Sequence, residues 1–229
     1  MESGPPVARH FEDELARLKE RLLVMGGLAE ERVRAAVAAL VNRDAAGVDE
    51  VLAGDEPINQ LQIEIDSRAF TLLALRQPIA TDLRTIVAGL KINSDLERVG
   101  DLAVNIAEAA RRYHVLPSVK PLIDLPRMAD IAQGMLRDAL DSFVRRDVAL
   151  AESVLSRDDR LDELKTQIAR ELLIYMLEDP TRIEAALTLI LISRHLERIG
   201  DHATNIAEDV IFVVSAKDVR HSFGADQKS

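Results

Sequence analysis

Glu97, Asp101, Asn105 and Glu108 share one face if their segment is helical. At 100° per residue, with Glu97 at zero, Asp101 falls near 40°, Asn105 near 80° and Glu108 near 20°, while Leu96, Val99, Leu102, Ala103 and Ile106 fall between about 140° and 260°. The acids therefore face away from the apolar side of their own helix. Side-chain oxygens in such a row suit hard cations such as magnesium, manganese, calcium or ferric iron, and zinc also accepts carboxylates. Without a cation the row is costly, because like charges at i and i+4 destabilise a helix by ~0.2–0.5 kcal/mol. Arg98 can reach Asp101, Arg198 can reach Asp201 and Arg194 can reach Glu197, each three residues apart, whereas Glu97 has no basic residue three or four positions away.

The constellation occurs twice. Leu96 to Glu108 and Leu196 to Glu208 agree at ten of thirteen positions, including Glu97 and Glu197, Asp101 and Asp201, and Asn105 and Asn205. Upstream the correspondence continues at a shift of 103 residues: Val41-Asn42-Arg43-Asp44 answers Val144-Arg145-Arg146-Asp147, and Val51-Leu52 with Asp55 answers Val154-Leu155 with Asp158. Pro78 and Pro180 also correspond. Polar residues kept in order over such a span indicate an internal duplication. A second i, i+4 pair lies upstream in each copy, Asp55 with Asn59 and Asp158 with Asp162, and an antiparallel neighbouring helix would bring it beside the Glu–Asp pair. Spacing alone leaves a metal-binding face and a solvated acidic face both open. Duplication of the whole set favours metal.

The elements that must position these residues read as helices throughout. Phe11, Leu15, Leu18, Leu22 and Met25 recur at four and three, the spacing of one apolar stripe. The first helix is expected from about Val7 to Val41. A second runs from Asp44 to about Leu75 with a break near Gly54 to Pro57, and a third from Thr81 and Asp82, which suit a helix start, to about His114. Pro117, Pro121 and Pro126 mark Leu116 to Pro126 as the connection, and the second copy repeats the plan from about Met128 to Ala216. No useful period-two alternation points to a sheet. The expected fold is all-α: two tandem antiparallel three-helix bundles at residues 7–116 and 122–216, with a mobile polar tail at 217–229.

Composition excludes several functions. There are 29 Lys and Arg against 39 Asp and Glu, a formal charge of −10, which opposes attraction to nucleic-acid backbones. With no cysteine there is no disulfide, thiolate catalysis or Cys-ligated metal, and with no apolar signal region at Met1 to Pro6 a cytoplasmic location is expected. The apolar stretches around Leu187 to Ile192 and Val210 to Val214 fall far short of the ~20 residues a membrane span needs. The five histidines form neither a Ser-His-Asp set nor a Glu-x-x-His pair, and read as packing or surface groups; His202, in place of Leu102, is suited to lining a groove. Arg76, Arg84 and Arg112 read as partners of acids rather than as a phosphate site, and the methionines as core filling. Gly100 and Gly200 cost helix propensity yet recur in register, which points to close approach by a neighbouring helix or a ligand.

Leu-Glu-Arg-Val/Ile-Gly-Asp twice, about a hundred residues apart, resembles the PhoU family of phosphate-transport regulators. Met25-Gly26-Gly27, Arg76-Gln77-Pro78 with Ala80, Asp82-Leu83-Arg84 and Arg220-His221 are similar to that family's pattern across nearly the whole chain. The resemblance implies paired three-helix bundles whose Glu/Asp-x-x-x-Asp motifs hold mono- or multinuclear metal clusters, commonly iron or zinc. On this sequence the matching residues are Glu97, Asp101, Glu197 and Asp201, with Asp55, Asn59, Asp158 and Asp162 from the second helices and Asn105 and Asn205 as additions. Asn59 in place of Asp162 leaves the first cluster with less charge. The resemblance further implies a cytoplasmic homodimer, at most peripheral to the membrane. It would be a non-enzymatic negative regulator between the ATPase subunit of a phosphate ABC transporter and a sensor histidine kinase. Alternatives are a carboxylate-bridged metalloenzyme and a metal-free helical scaffold.

Overall fold

The computed structural model describes residues 6–54, 56–76 and 80–216. Asp55, Pro78, and the tail with Arg220 and His221, to which the sequence assigned roles, lie outside the described residues. The helices are α1 (Pro6–Asn42), α2 (Ala45–Ala53), α3 (Glu56–Arg76), α4 (Ala80–His114), α5 (Asp124–Arg145), α6 (Val148–Glu178) and α7 (Ile183–Ser215), with a 3-10 turn at Pro180–Arg182 before α7. No strand occurs among the described residues, and the all-helical duplicated fold is as the pattern predicts.

The duplication is visible in backbone geometry as well as in sequence. Arg43 and Arg146, 103 residues apart, both adopt the left-handed conformation, with φ 52° and 57°. Each is followed by an aspartate that caps the next helix: Asp44 Oδ1 accepts from the Ala46 N–H at 3.1 Å, and Asp147 Oδ1 from the Leu150 N–H at 3.0 Å. These bonds satisfy amide groups that have no partner within the helix.

The copies then diverge. Pro57 lacks an N–H and its ring would clash with the carbonyl four residues back, so the second helix of the first copy is split into α2 and α3. Arg160 stands at the equivalent place, and α6 runs unbroken from Val148 to Glu178. One boundary differs from expectation. Pro126 does not close the connection but sits in the first turn of α5, which begins at Asp124 rather than near Met128. The proline is tolerated there because first-turn amides have no intrahelical acceptor.

Within each copy, α1 packs on α4 and α3, and α7 on α5 and α6. The copies also pack on each other, α4 along α7 and α1 against α5, so that a single apolar core runs through both. Ile92, Leu96, Val99 and Ile106 of α4 and Ile192, Leu196, Ile199 and Ile206 of α7 are all fully buried. Polar ties cross the same boundary. His202 Nδ1 lies 2.8 Å from Asp95 Oδ1, Lys91 Nζ donates to Asp209 Oδ1 at 2.7 Å, and Arg137 Nη2 to Glu30 Oε2 at 2.7 Å. His202, suited by sequence to lining a groove, is instead buried in this interface.

Candidate metal-binding face

The glycines of the two motifs set the geometry. A Cβ on Gly200 would stand 2.9 Å from Leu161 Cδ1, and a Cβ on Gly100 would stand 3.0 Å from Ile58 Cδ1. Leu161 and Ile58 are equivalent residues, so each copy brings its second helix tightly across its third at the same point. The expected close approach is by a helix. The Gly200 Cβ position is also 3.8 Å from Asp158 Oδ1, which places that carboxylate of α6 beside the Glu197–Asp201 pair of α7.

Four carboxylates thus gather in the second copy. Asp158 and Glu197 are half-buried, and Asp162 and Asp201 are exposed. Partial burial, then the charges of Asp201, Asp162, Asp159 and Glu197, push the Asp158 carboxyl up to about 6 from an ordinary 3.8. Asp201 is exposed over the residue as a whole, but desolvation of its carboxylate by the surrounding protein, then Glu197, also raises it, against the partial relief of His202 and Lys165. Both shifts record first the loss of solvent around the carboxylates and second the negative charge of their neighbours. An all-oxygen donor set with excess negative charge fits a hard cation.

One cation of the chain itself is already there. Lys165 Nζ donates to Asp162 Oδ1 at 2.6 Å and to Glu197 Oε1 at 2.7 Å. This residue was missed by sequence reasoning, which looked for partners along each helix. Its signal was the pair of differences Asn59/Asp162 and Gln62/Lys165 between the copies. The local pairs considered from sequence, Arg98 with Asp101, Arg198 with Asp201 and Arg194 with Glu197, do not form; the cross-helix lysine takes Glu197 instead. Among the described residues, no three His, Asp or Glu side chains close on one point as ligands of an ion would.

In the first copy Glu97 and Asn59 are half-buried and Asp101 and Asn105 are exposed. With Asp55 outside the described residues, the set is seen in part. Asn205 is exposed and lines a groove of about 300 Å³ between α4 and α7, with Lys91, Ser94, Asp95, Arg98, Glu208 and Asp209, rather than the α6 side where Glu197 meets Lys165. The acidic rows stand at the surface, as the wheel projection requires. No helix among the described residues is long and apolar enough to cross a membrane.

An all-helical duplicate with an acidic pair at the same helix crossing in each half defines a class of tandem three-helix-bundle proteins. The chain belongs to the PhoU family: the PhoU domain matches residues 22–110 and 125–210. A Caulobacter vibrioides protein named phosphate-specific transport system accessory protein PhoU homolog is 44% identical over 215 residues, covering 92% of each chain. A relative of the same name from Pseudomonas aeruginosa is 42% identical over 217 residues, covering 94% of this chain and 89% of its own. A crystal structure of PhoU from Pseudomonas aeruginosa superposes with a TM-score of 0.86 at 41% identity, covering 90% of this chain and all of that one. The phosphate transport system regulatory protein PhoU from Streptococcus pneumoniae superposes with a TM-score of 0.83 at 30% identity, covering 91% of this chain and 99% of its own.

Proposed function

We propose that the protein is a non-enzymatic cytoplasmic regulator of phosphate uptake and phosphate-starvation signalling, and that metal ions on its acidic helix faces shape the surface its partners read. The observation that carries the reading is the carboxylate cluster at the Gly200 crossing, built at a register that recurs at Gly100. The names of the relatives as phosphate transport accessory and regulatory proteins support the pathway. Asp158, Asp162, Glu197 and Asp201 would hold the ion or ions in the second copy, and Asp55, Asn59, Glu97 and Asp101 in the first. Asn105 would be an outer donor further along α4, whereas Asn205 faces the α4–α7 groove and is left out of the second set. Iron, zinc, manganese and magnesium all accept this donor chemistry. A bound cation supplies positive charge and open coordination positions at a helix surface.

The partners are the ATPase subunit of a phosphate ABC transporter and a sensor histidine kinase, and the active form is a homodimer. Negative regulation requires only that the protein bind the silent state of the kinase more tightly than the signalling state. The metalloenzyme alternative is less well supported, because helical-bundle oxygen chemistry places Glu-x-x-His ligands inside the bundle. Here the carboxylates stand at its rim.

Capture of the purified transporter ATPase subunit on immobilised, metal-loaded protein tests this reading. The wild type retains the subunit, and the Asp101→Ala, Asp201→Ala double variant loses at least about nine-tenths of it, as expected where a few residues carry most of the binding energy. Equal capture by the folded double variant contradicts the role of the acidic faces.

A further inference from the structure

The two copies of the acidic face differ in a coordinated way. The first carries Asn59 and Gln62 on α3, and the second carries Asp162 and Lys165 at the equivalent places on α6. The added carboxylate and the added ammonium offset each other, so the two sets, Asp55, Asn59, Glu97, Asp101, Gln62 and Asp158, Asp162, Glu197, Asp201, Lys165, carry equal formal charge. The structure shows the added charges in direct contact. Lys165 Nζ bridges Asp162 Oδ1 at 2.6 Å and Glu197 Oε1 at 2.7 Å, tying α6 to α7 through one carboxylate of each. In the first copy Gln62 is neutral, and its backbone carbonyl accepts from Asn93 Nδ2 at 3.0 Å.

We infer that Lys165 is a tethered counter-ion that occupies the second acidic face in place of a metal ion. The inference rests on the reading of the acids as metal ligands. An ammonium on a flexible stem neutralises two carboxylates without fixing their geometry, and it competes with any cation for the same oxygens. It can leave without repacking the core. Lys165 also borders an open groove of about 400 Å³ between α6 and α7, beside Thr166 and Ser193. The second face therefore binds metal only as strongly as the gain over the lysine pair allows. The lysine also secures the α6–α7 crossing when no metal is bound.

The test uses the full chain carrying Glu97→Gln and Asp101→Asn, which silences the first face. Mn²⁺ is titrated calorimetrically into this background and into its Lys165→Gln and Lys165→Arg derivatives, and the melting temperature of each is recorded without metal. Lys165→Gln is expected to tighten Mn²⁺ binding about fivefold, the equivalent of one part-exposed ion pair removed from competition. It should also lower the metal-free melting temperature by about 2–4 °C. Lys165→Arg, which keeps the charge, should behave as the background does. Mn²⁺ bound with the same affinity by Lys165→Gln and the background overturns the counter-ion role alone. Mn²⁺ bound by none of these proteins, nor by the wild type, overturns the reading of the acids as ligands and the inference with it.

Discussion

Replacing His202 with leucine, the residue that position 102 carries in the first copy, is expected to destabilise the protein by about 3 kcal/mol. His202 and Asp95 are both buried at the α4–α7 boundary, with Nδ1 and Oδ1 2.8 Å apart. Removing one member of a buried pair leaves the other without its partner in a poor solvent for charge, which costs about 3–5 kcal/mol; the loss falls at the low end because leucine recovers some apolar contact. For a chain of this length the loss lowers the melting temperature by about 6–12 °C. Adding Asp95→Leu should restore most of it, because two apolar side chains replace a pair whose net contribution is small. The positions equivalent to His202 and Asp95 are Leu102 and His195, and His195 Nδ1 is buried without a hydrogen-bond partner. Burial, with Arg198 and Arg194, holds the His195 ring below its ordinary value and so in the neutral form that this place tolerates. Thermal melts of the single and double variants decide the matter. A single variant as stable as the wild type would mean that the pair does not hold the copies together.

Asp158→Asn should stabilise the metal-free protein at pH 7.5 and destabilise the metal-loaded protein relative to wild type. The Asp158 carboxyl is raised from 3.8 to about 6 in the folded state by burial and by its acidic neighbours. Between those two values the folded chain holds a proton that the unfolded chain has released, so stability falls as pH rises from 3.8 through about 6 and remains lowered above. Because the group is half-exposed, solvent screening reduces the cost to about 1–2 kcal/mol, or roughly 2–8 °C in melting temperature. Asparagine resembles the protonated acid, so the variant and the wild type should melt together at pH 4 and separate on approaching neutrality. Saturating Mn²⁺ should reverse the order, since the ion favours the ionised carboxylate and the amide is a poorer ligand. Melts across pH, with and without Mn²⁺, check both halves. A wild type that is more stable than Asp158→Asn at pH 7.5 in the absence of metal would contradict the account of the cluster.

The features legible in the sequence were those with a period or a repeat. Apolar residues at three and four gave the helices, and identity between Leu96–Glu108 and Leu196–Glu208 gave the duplication and the paired acidic rows. The prolines gave the breaks, with Pro126 the exception, because a proline in a first turn and a proline after a last turn look alike until the cap is seen. What was not legible depends on which helix lies beside which. Helix-wheel reasoning searched for charge partners along α4 and α7, and so proposed Arg98, Arg194 and Arg198, whereas Lys165 reaches Glu197 from α6. The same limit hid the Asp95–His202 and Lys91–Asp209 ties, whose members lie 107 and 118 residues apart. It also placed Asn205 with the acids on its own helix, although it lines a groove shared with α4.

The pathway reading needs the acidic faces to do more than keep the surface hydrated. Elemental analysis of the full chain, purified without an affinity tag or chelator and set beside Asp101→Ala, Asp201→Ala protein prepared identically, tests that requirement most directly. The account predicts at least about one equivalent of iron, zinc or manganese per wild-type chain and a loss of most of it in the variant, since each remaining set is short of a ligand. Wild-type protein devoid of metal after reconstitution, or a variant that retains the full complement, would contradict it.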